Sequence, residues 1–170
     1  MEKEEIKFEN DVNVNEIKVI IADDDVRTCE EIKEKIKGHE QIIILGIANT
    51  DEDEIKMIEE LKPDVVITDL MRGRVFSGLD IIKNYAEKEN SPKFVIVSFT
   101  PEPALMYKYK NIAACVSKTP EINGSELSYK IICAKRTIWK ERQDYIENKI
   151  QEEKKKSSFL GRIVGFLTKK

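Results

Sequence analysis

Residues 17–25 read IKVIIADDD, an apolar run interrupted only by Lys18 that stops on three consecutive aspartates. Its β-branched side chains suit a strand. They stand at adjacent rather than alternate positions, as in a strand covered on both faces. Working outward, the pattern recurs. Residues 63–70 read PDVVITDL, where Val65-Val66-Ile67 leads to Asp69. Phe94-Val95-Ile96-Val97 leads to Ser98, and Ala113-Ala114-Cys115-Val116 leads to Lys118. Residues 42–47, IIILGI, form the remaining run.

Helical spacing fills the gaps. Val26, Cys29, Ile32 and Ile36 make one stripe, closed by Gly38. Thr50 is placed to cap a second helix, with Ile55, Ile58 and Leu61 as its stripe before Pro63. Leu79, Ile81, Ile82 and Tyr85 mark a third, expected to end near Pro92. A short fourth lies around Ala104 to Tyr109, and a fifth starts near Ser125 with Leu127, Ile131, Ala134 and Ile138. Alternating strands and helices predict an α/β fold: a doubly wound parallel sheet of five strands with helices on both faces. The ligand crevice of such a sheet lies at the carboxyl ends of its strands.

Composition narrows the function. Of 170 residues, 36% are charged and 41% hydrophobic, and the net charge of −3 argues against a nucleic-acid binder. Cys29, Cys115 and Cys133 form no CxxC pair and are odd in number, which fits a reducing cytoplasm. His39 is the sole histidine, so Ser-His or His-metal catalysis has no basis. No segment has the roughly 20 apolar residues needed to span a bilayer. Residues 1–15 are acidic, aperiodic and without a signal-peptide run, and read as a disordered arm.

The expected strand ends collect chemistry. Asp23, Asp24 and Asp25 follow the first, Asp69 the third, Ser98 the fourth and Lys118 the fifth. Converging carboxylates repel one another unless a cation or protons intervene. Hard oxygens in small number suit Mg²⁺. A lysine and a hydroxyl aimed at the same point suit anionic oxygens. Together these groups describe phosphoryl transfer onto an aspartate.

IIADDD, PDVVITDL, SGLDII and VSK, in that order, resemble the motifs of response-regulator receiver domains of two-component signalling, from about Glu16 to Ile138. The segment ILGIANTDEDE is similar to the second strand of receivers that control transcription. The resemblance implies the flavodoxin-like strand order 2-1-3-4-5. It implies that Asp69 is the phosphoacceptor, that Asp24 binds Mg²⁺ directly, and that Asp23 acts through water. The Met71 carbonyl is a further metal ligand, Ser98 bonds the phosphoryl group, Lys118 pairs with a phosphoryl oxygen, and Asp25 caps a helix. Implied partners are a histidine kinase or phosphotransfer protein upstream and an unidentified output protein downstream, with no DNA. The chain is then a phosphoacceptor rather than a metabolic enzyme, with slow self-dephosphorylation. The alternative is a pseudo-receiver, a scaffolding module that is not phosphorylated.

Four positions depart from the family pattern. The loop LMRGRVFSG lacks the usual Met-Pro and is one residue longer. Phe99 follows Ser98 where a small residue is usual, Thr119 separates Lys118 from Pro120, and Cys115 replaces an aromatic switch residue. Beyond the receiver (residues 16–138), residues 139–156 read as an extension of the last helix. Residues 157–170 read as a basic amphipathic tail for docking on protein, with peripheral membrane contact as the rival. Homodimerisation is left open.

Overall fold

The computed structural model of the chain describes residues 16–167, apart from the side chains of 153 and 157–167. The elements run β1 (Ile17–Ala22), α1 (Val26–Ile36), β2 (Ile42–Ala48), α2 (Asp51–Leu61), β3 (Val65–Thr68), α3 (Ser77–Tyr85), β4 (Lys93–Ser98), α4 (Leu105–Lys108), β5 (Ile112–Ser117) and α5 (Gly124–Leu167). All five strands are parallel, in the order β2-β1-β3-β4-β5. The chain leaves β1 toward one edge and returns past it to build the other. The switch point therefore lies between the ends of β1 and β3.

The period-2 alternation of strands sorts two cores. Val19, Ile21, Val65, Ile67, Val95 and Val97 pack with Cys29, Ile32 and Ile36 of α1 and Leu127 and Ile131 of α5. Ile20, Val66, Phe94 and Ile96 pack on the other face with Ile58 of α2 and Ile81, Ile82 and Tyr85 of α3. The three inner strands are buried almost throughout, apart from Lys18, whereas β2 and β5 keep half-exposed positions because each has only one neighbouring strand.

Several local expectations shift. Asp25 and Thr50 cap α1 and α2 as expected, accepting from Arg27 N and Asp53 N. The α2 stripe is rotated: Glu54 and Ile58 are buried, while Ile55 and Leu61 are exposed. The cause is an arginine beneath the helix, described below. α3 ends at Tyr85, well before Pro92. The peptide between Lys118 and Thr119 is not cis, but the next one, Thr119-Pro120, is.

The fifth helix starts one residue before Ser125 and does not stop at Lys156. Its backbone is helical through Leu167, 44 residues in all. It leaves the carboxyl end of β5 and passes the amino ends of β3 and β4, where Lys135 meets Asp64 at 2.7 Å and Glu141 meets buried Lys93 at 2.8 Å. None of the described side chains from Arg142 to Lys156 is buried. The residue 1–15 arm and the side chains of the 157–170 tail lie outside the described residues. Among the described residues no helix is long and apolar enough to cross a membrane.

Candidate functional site

The sheet register sets the site. Ala22 pairs with Thr68, so Asp23 and Asp69 emerge side by side. Asp23 N donates to Ala48 O, Asp69 N to Ala22 O and Lys118 N to Ser98 O, at 3.0–3.1 Å, so the ladder extends one residue past the strands. Each side chain is thereby aimed from a rigid backbone rather than from a free loop.

Lys118 joins the two aspartates. Its Nζ donates to Asp23 Oδ2 at 2.7 Å and Asp69 Oδ2 at 2.6 Å, and all three residues are buried. The remaining oxygens face backbone donors: Asp23 Oδ1 accepts from Asp25 N at 2.9 Å, and Asp69 Oδ1 from Met71 N at 3.3 Å. Burial pushes the Asp23 carboxyl above its ordinary value, against the bonds from Lys118 and the Asp25 amide. Burial alone would pull Lys118 down; its bonds to Asp23 and Asp69 outweigh this and hold it above the usual lysine value. The ammonium is therefore charged at neutral pH.

The other expected residues surround this group. Ser98 is buried, and its Oγ faces the Thr100 amide at 3.4 Å. Asp24 is exposed and turned to the loop, where its Oδ2 accepts from Gly73 N at 2.9 Å. Phe99 lies beside Lys118, with its ring centroid 5.2 Å from Nζ, and at 70% exposure it does not seal the site. Cys115 is half-buried, with its thiol toward Glu102 O at 3.8 Å.

Two of the three expected metal carboxylates thus meet at the lysine, and the third stands apart. Among the described residues no three His, Cys, Asp or Glu side chains are gathered as a ready metal centre. The donor set still suits a hard cation. A carboxylate has about four lone-pair positions, and each of these aspartates keeps some uncommitted. Mg²⁺ retains several waters and requires few protein oxygens.

A second ionic group was not legible in the sequence. Arg72, in the loop after Asp69, is buried and donates to Asp51 Oδ1, to Glu54 Oε2, and to Thr68 Oγ1 at 2.9 Å. Glu54 is wholly buried, and Ser77 Oγ donates to Asp51 Oδ1 at 3.1 Å. Burial of Glu54 pushes its carboxyl above the ordinary value, opposed by Arg72. One sequence signal pointed here: Glu54 stands four residues before Ile58, on the same helical face. Gly78 completes the surroundings. A Cβ there would lie 1.9 Å from Asp69 O, so α3 approaches the Asp69 backbone as only glycine allows.

The comparisons agree with this geometry. The family model for the response regulator receiver domain matches residues 19–131. The transcriptional regulatory protein YdfI of Bacillus subtilis is 31% identical over 85 residues, which is 50% of this chain and 39% of that protein. A protein-glutamate methylesterase/protein-glutamine glutaminase of the same organism is 32% identical over 84 residues, 49% of this chain and 23% of its own. The chain thus spans well under two thirds of these curated relatives. Among solved structures, a LuxR-family DNA-binding response regulator from Staphylococcus aureus aligns with a TM-score of 0.58 at 29% identity, over 70% of this chain and 98% of that one. The response regulator domain of Thermotoga maritima CheB shares the fold, with a TM-score of 0.61 at 22% identity over 71% and 97%. Sheet order, the aspartates and lysine at the strand ends, and the family match over residues 19–131 converge: the chain belongs to the response regulator receiver domain family.

Proposed function

We propose that this receiver accepts a phosphoryl group on Asp69 from a histidine kinase or phosphotransfer protein and signals by protein contact. The observation that carries the reading is the Lys118 ammonium 2.6 Å from Asp69 Oδ2 and 2.7 Å from Asp23 Oδ2, with Ser98 at the end of the adjoining strand. A carboxylate oxygen of Asp69 attacks phosphorus, an O–P bond forms, and the bond from phosphorus to the donor's imidazole nitrogen breaks. Lys118 meets the incoming phosphoryl oxygens as a point charge able to leave one carboxylate for another partner. Ser98 supplies a hydroxyl to the same oxygens. Asp23, Asp24, Asp69 and the Met71 carbonyl are the groups to hold Mg²⁺. When bound, that ion neutralises charge on the transferring group.

The receiver spans residues 16–138 in this reading, residues 139–156 extend its last helix, and residues 157–170 form a docking tail. Neither Met71 nor Thr100, each two residues past a site residue, carries an acid or amide to orient water, so the acyl phosphate is long-lived. The test is incubation with acetyl phosphate and Mg²⁺ followed by intact mass. A gain of one phosphoryl group that is lost in Asp69→Asn supports the reading. No gain in the wild type sinks it and leaves a scaffold of receiver fold.

A further inference from the structure

The loop between β3 and α3 holds two of the three site carboxylates by its backbone. Met71 N donates to Asp69 Oδ1 at 3.3 Å, and Gly73 N donates to Asp24 Oδ2 at 2.9 Å. Arg72 lies between those two amides. Its own N–H and C=O pair with Val75 across a small bridge, at 2.9 and 3.1 Å. Its side chain turns away from the site into the protein, where Thr68, Glu54 and Asp51 receive it. Ser77, the first residue of α3, is tied to the same Asp51. One guanidinium thus fastens the loop to β3 and α2 directly, and to α3 through Asp51.

We infer that Arg72 is a positioning residue for the Asp69 site: its anchorage fixes the Met71 and Gly73 amides that orient Asp69 and Asp24. Asp24 makes the need plain. It is exposed, and the amide that orients it comes from Gly73, a loop residue with a positive φ of 59°. Glycine at that position has little conformational preference of its own, so the order must come from a neighbour. Arg72 supplies it through a planar fork that a single-point cation cannot reproduce. Two buried atoms of the cluster, Arg72 Nε and Glu54 Oε1, have no hydrogen-bond partner. The cluster is therefore not the cheapest way to fill this space, and an apolar replacement is physically reasonable.

That replacement separates positioning from charge balance. The inference rests on the phosphoacceptor reading for its consequence, but the amides report on it independently. Arg72→Leu/Glu54→Leu removes both buried charges together. If Arg72 positions the loop, hydrogen exchange at the Met71 and Gly73 amides speeds at least tenfold while the β3 amides keep their protection. Mg²⁺-dependent labelling by acetyl phosphate slows at least tenfold. If Arg72 only balances Glu54, the double variant exchanges and labels as wild type does, and the inference is overturned. Should the double variant not fold, Arg72→Lys keeps the balancing charge and loses the fork. Exchange at Met71 and Gly73 at least threefold faster supports positioning there, and unchanged exchange overturns it. A wild type that does not label removes the phosphoacceptor reading, while the exchange comparison still decides the role of Arg72.

Discussion

The tip of β3 carries two clusters of the same formula, one cation between two carboxylates. Lys118 lies between Asp23 and Asp69, and Arg72 lies between Asp51 and Glu54. Successive residues of the strand separate them: Asp69 continues the face of Val65 and Ile67, while Thr68 continues that of Val66 and bonds Arg72. Burial does not distinguish them, since Lys118 and Arg72 are each 8% exposed. The cation does. An ammonium is a point charge that can exchange one partner for another, whereas a guanidinium holds several in fixed directions. The same charge arithmetic thus suits a site proposed to exchange partners on one face and a joint proposed to stay fixed on the other.

The sharpest way to break this comparison is to remove one charged partner from each cluster. Asp69→Asn should abolish phosphoryl acceptance by intact mass, since an amide is no nucleophile, and leave the urea midpoint nearly where it was. Residual labelling would show the acceptor to be elsewhere. On the other face, Arg72→Met leaves Glu54 buried beside no cation, and stability in urea should fall by about 3–5 kcal/mol. A loss below about 1 kcal/mol would mean that the second cluster is not the joint described.

Gly78 sits against the Asp69 carbonyl and tests how far the clusters are mechanically joined. Gly78→Ala must displace backbone, at a cost of about 1–3 kcal/mol, and labelling should slow with it. Metal gives a smaller effect. Mg²⁺ should raise the melting temperature of the wild type and raise it less in Asp24→Asn, because weak binding stabilises only as ligand exceeds Kd. Equal shifts would remove Asp24 from the metal site.

The smallest effect belongs to a carboxylate outside both clusters. Bonds from Tyr85, Lys88 and Lys62 hold Glu59 at about 2, below its ordinary 4.5. A depressed carboxyl contributes stability that is present above pH 4.5 and lost as the pH falls toward 2. Glu59→Gln should flatten that part of the stability profile slightly, since the group is half exposed.

The two clusters were unequally legible in the sequence. Asp23, Asp69, Ser98 and Lys118 each end an apolar run, and parallel strands bring such ends together whatever the loops do. Arg72, Asp51 and Glu54 sit in a loop and on a helix where charged residues ordinarily face water, and the i, i+4 spacing of Glu54 and Ile58 is too slight a signal to mark one as turned inward. The rotated face of α2 has the same origin: Ile55 and Leu61 lost the core to Glu54 because Arg72 was beneath it. The end of α5 departs from the sequence pattern for another reason. A change in composition near Ser157 suggested a boundary, but composition does not interrupt a helix whose backbone bonds continue.

A helix that runs uninterrupted for this length has the geometry of a lever. The roughly 25 residues of α5 past Glu141 extend about 40 Å beyond the sheet, at 1.5 Å per residue. The fulcrum is where Lys93 and Asp64 grip the shaft through Glu141 and Lys135. A tilt of about 5° at that grip, well within what a packed helix undergoes, carries the far tip about 3 Å. A small adjustment where the helix meets the sheet would therefore be magnified along the arm.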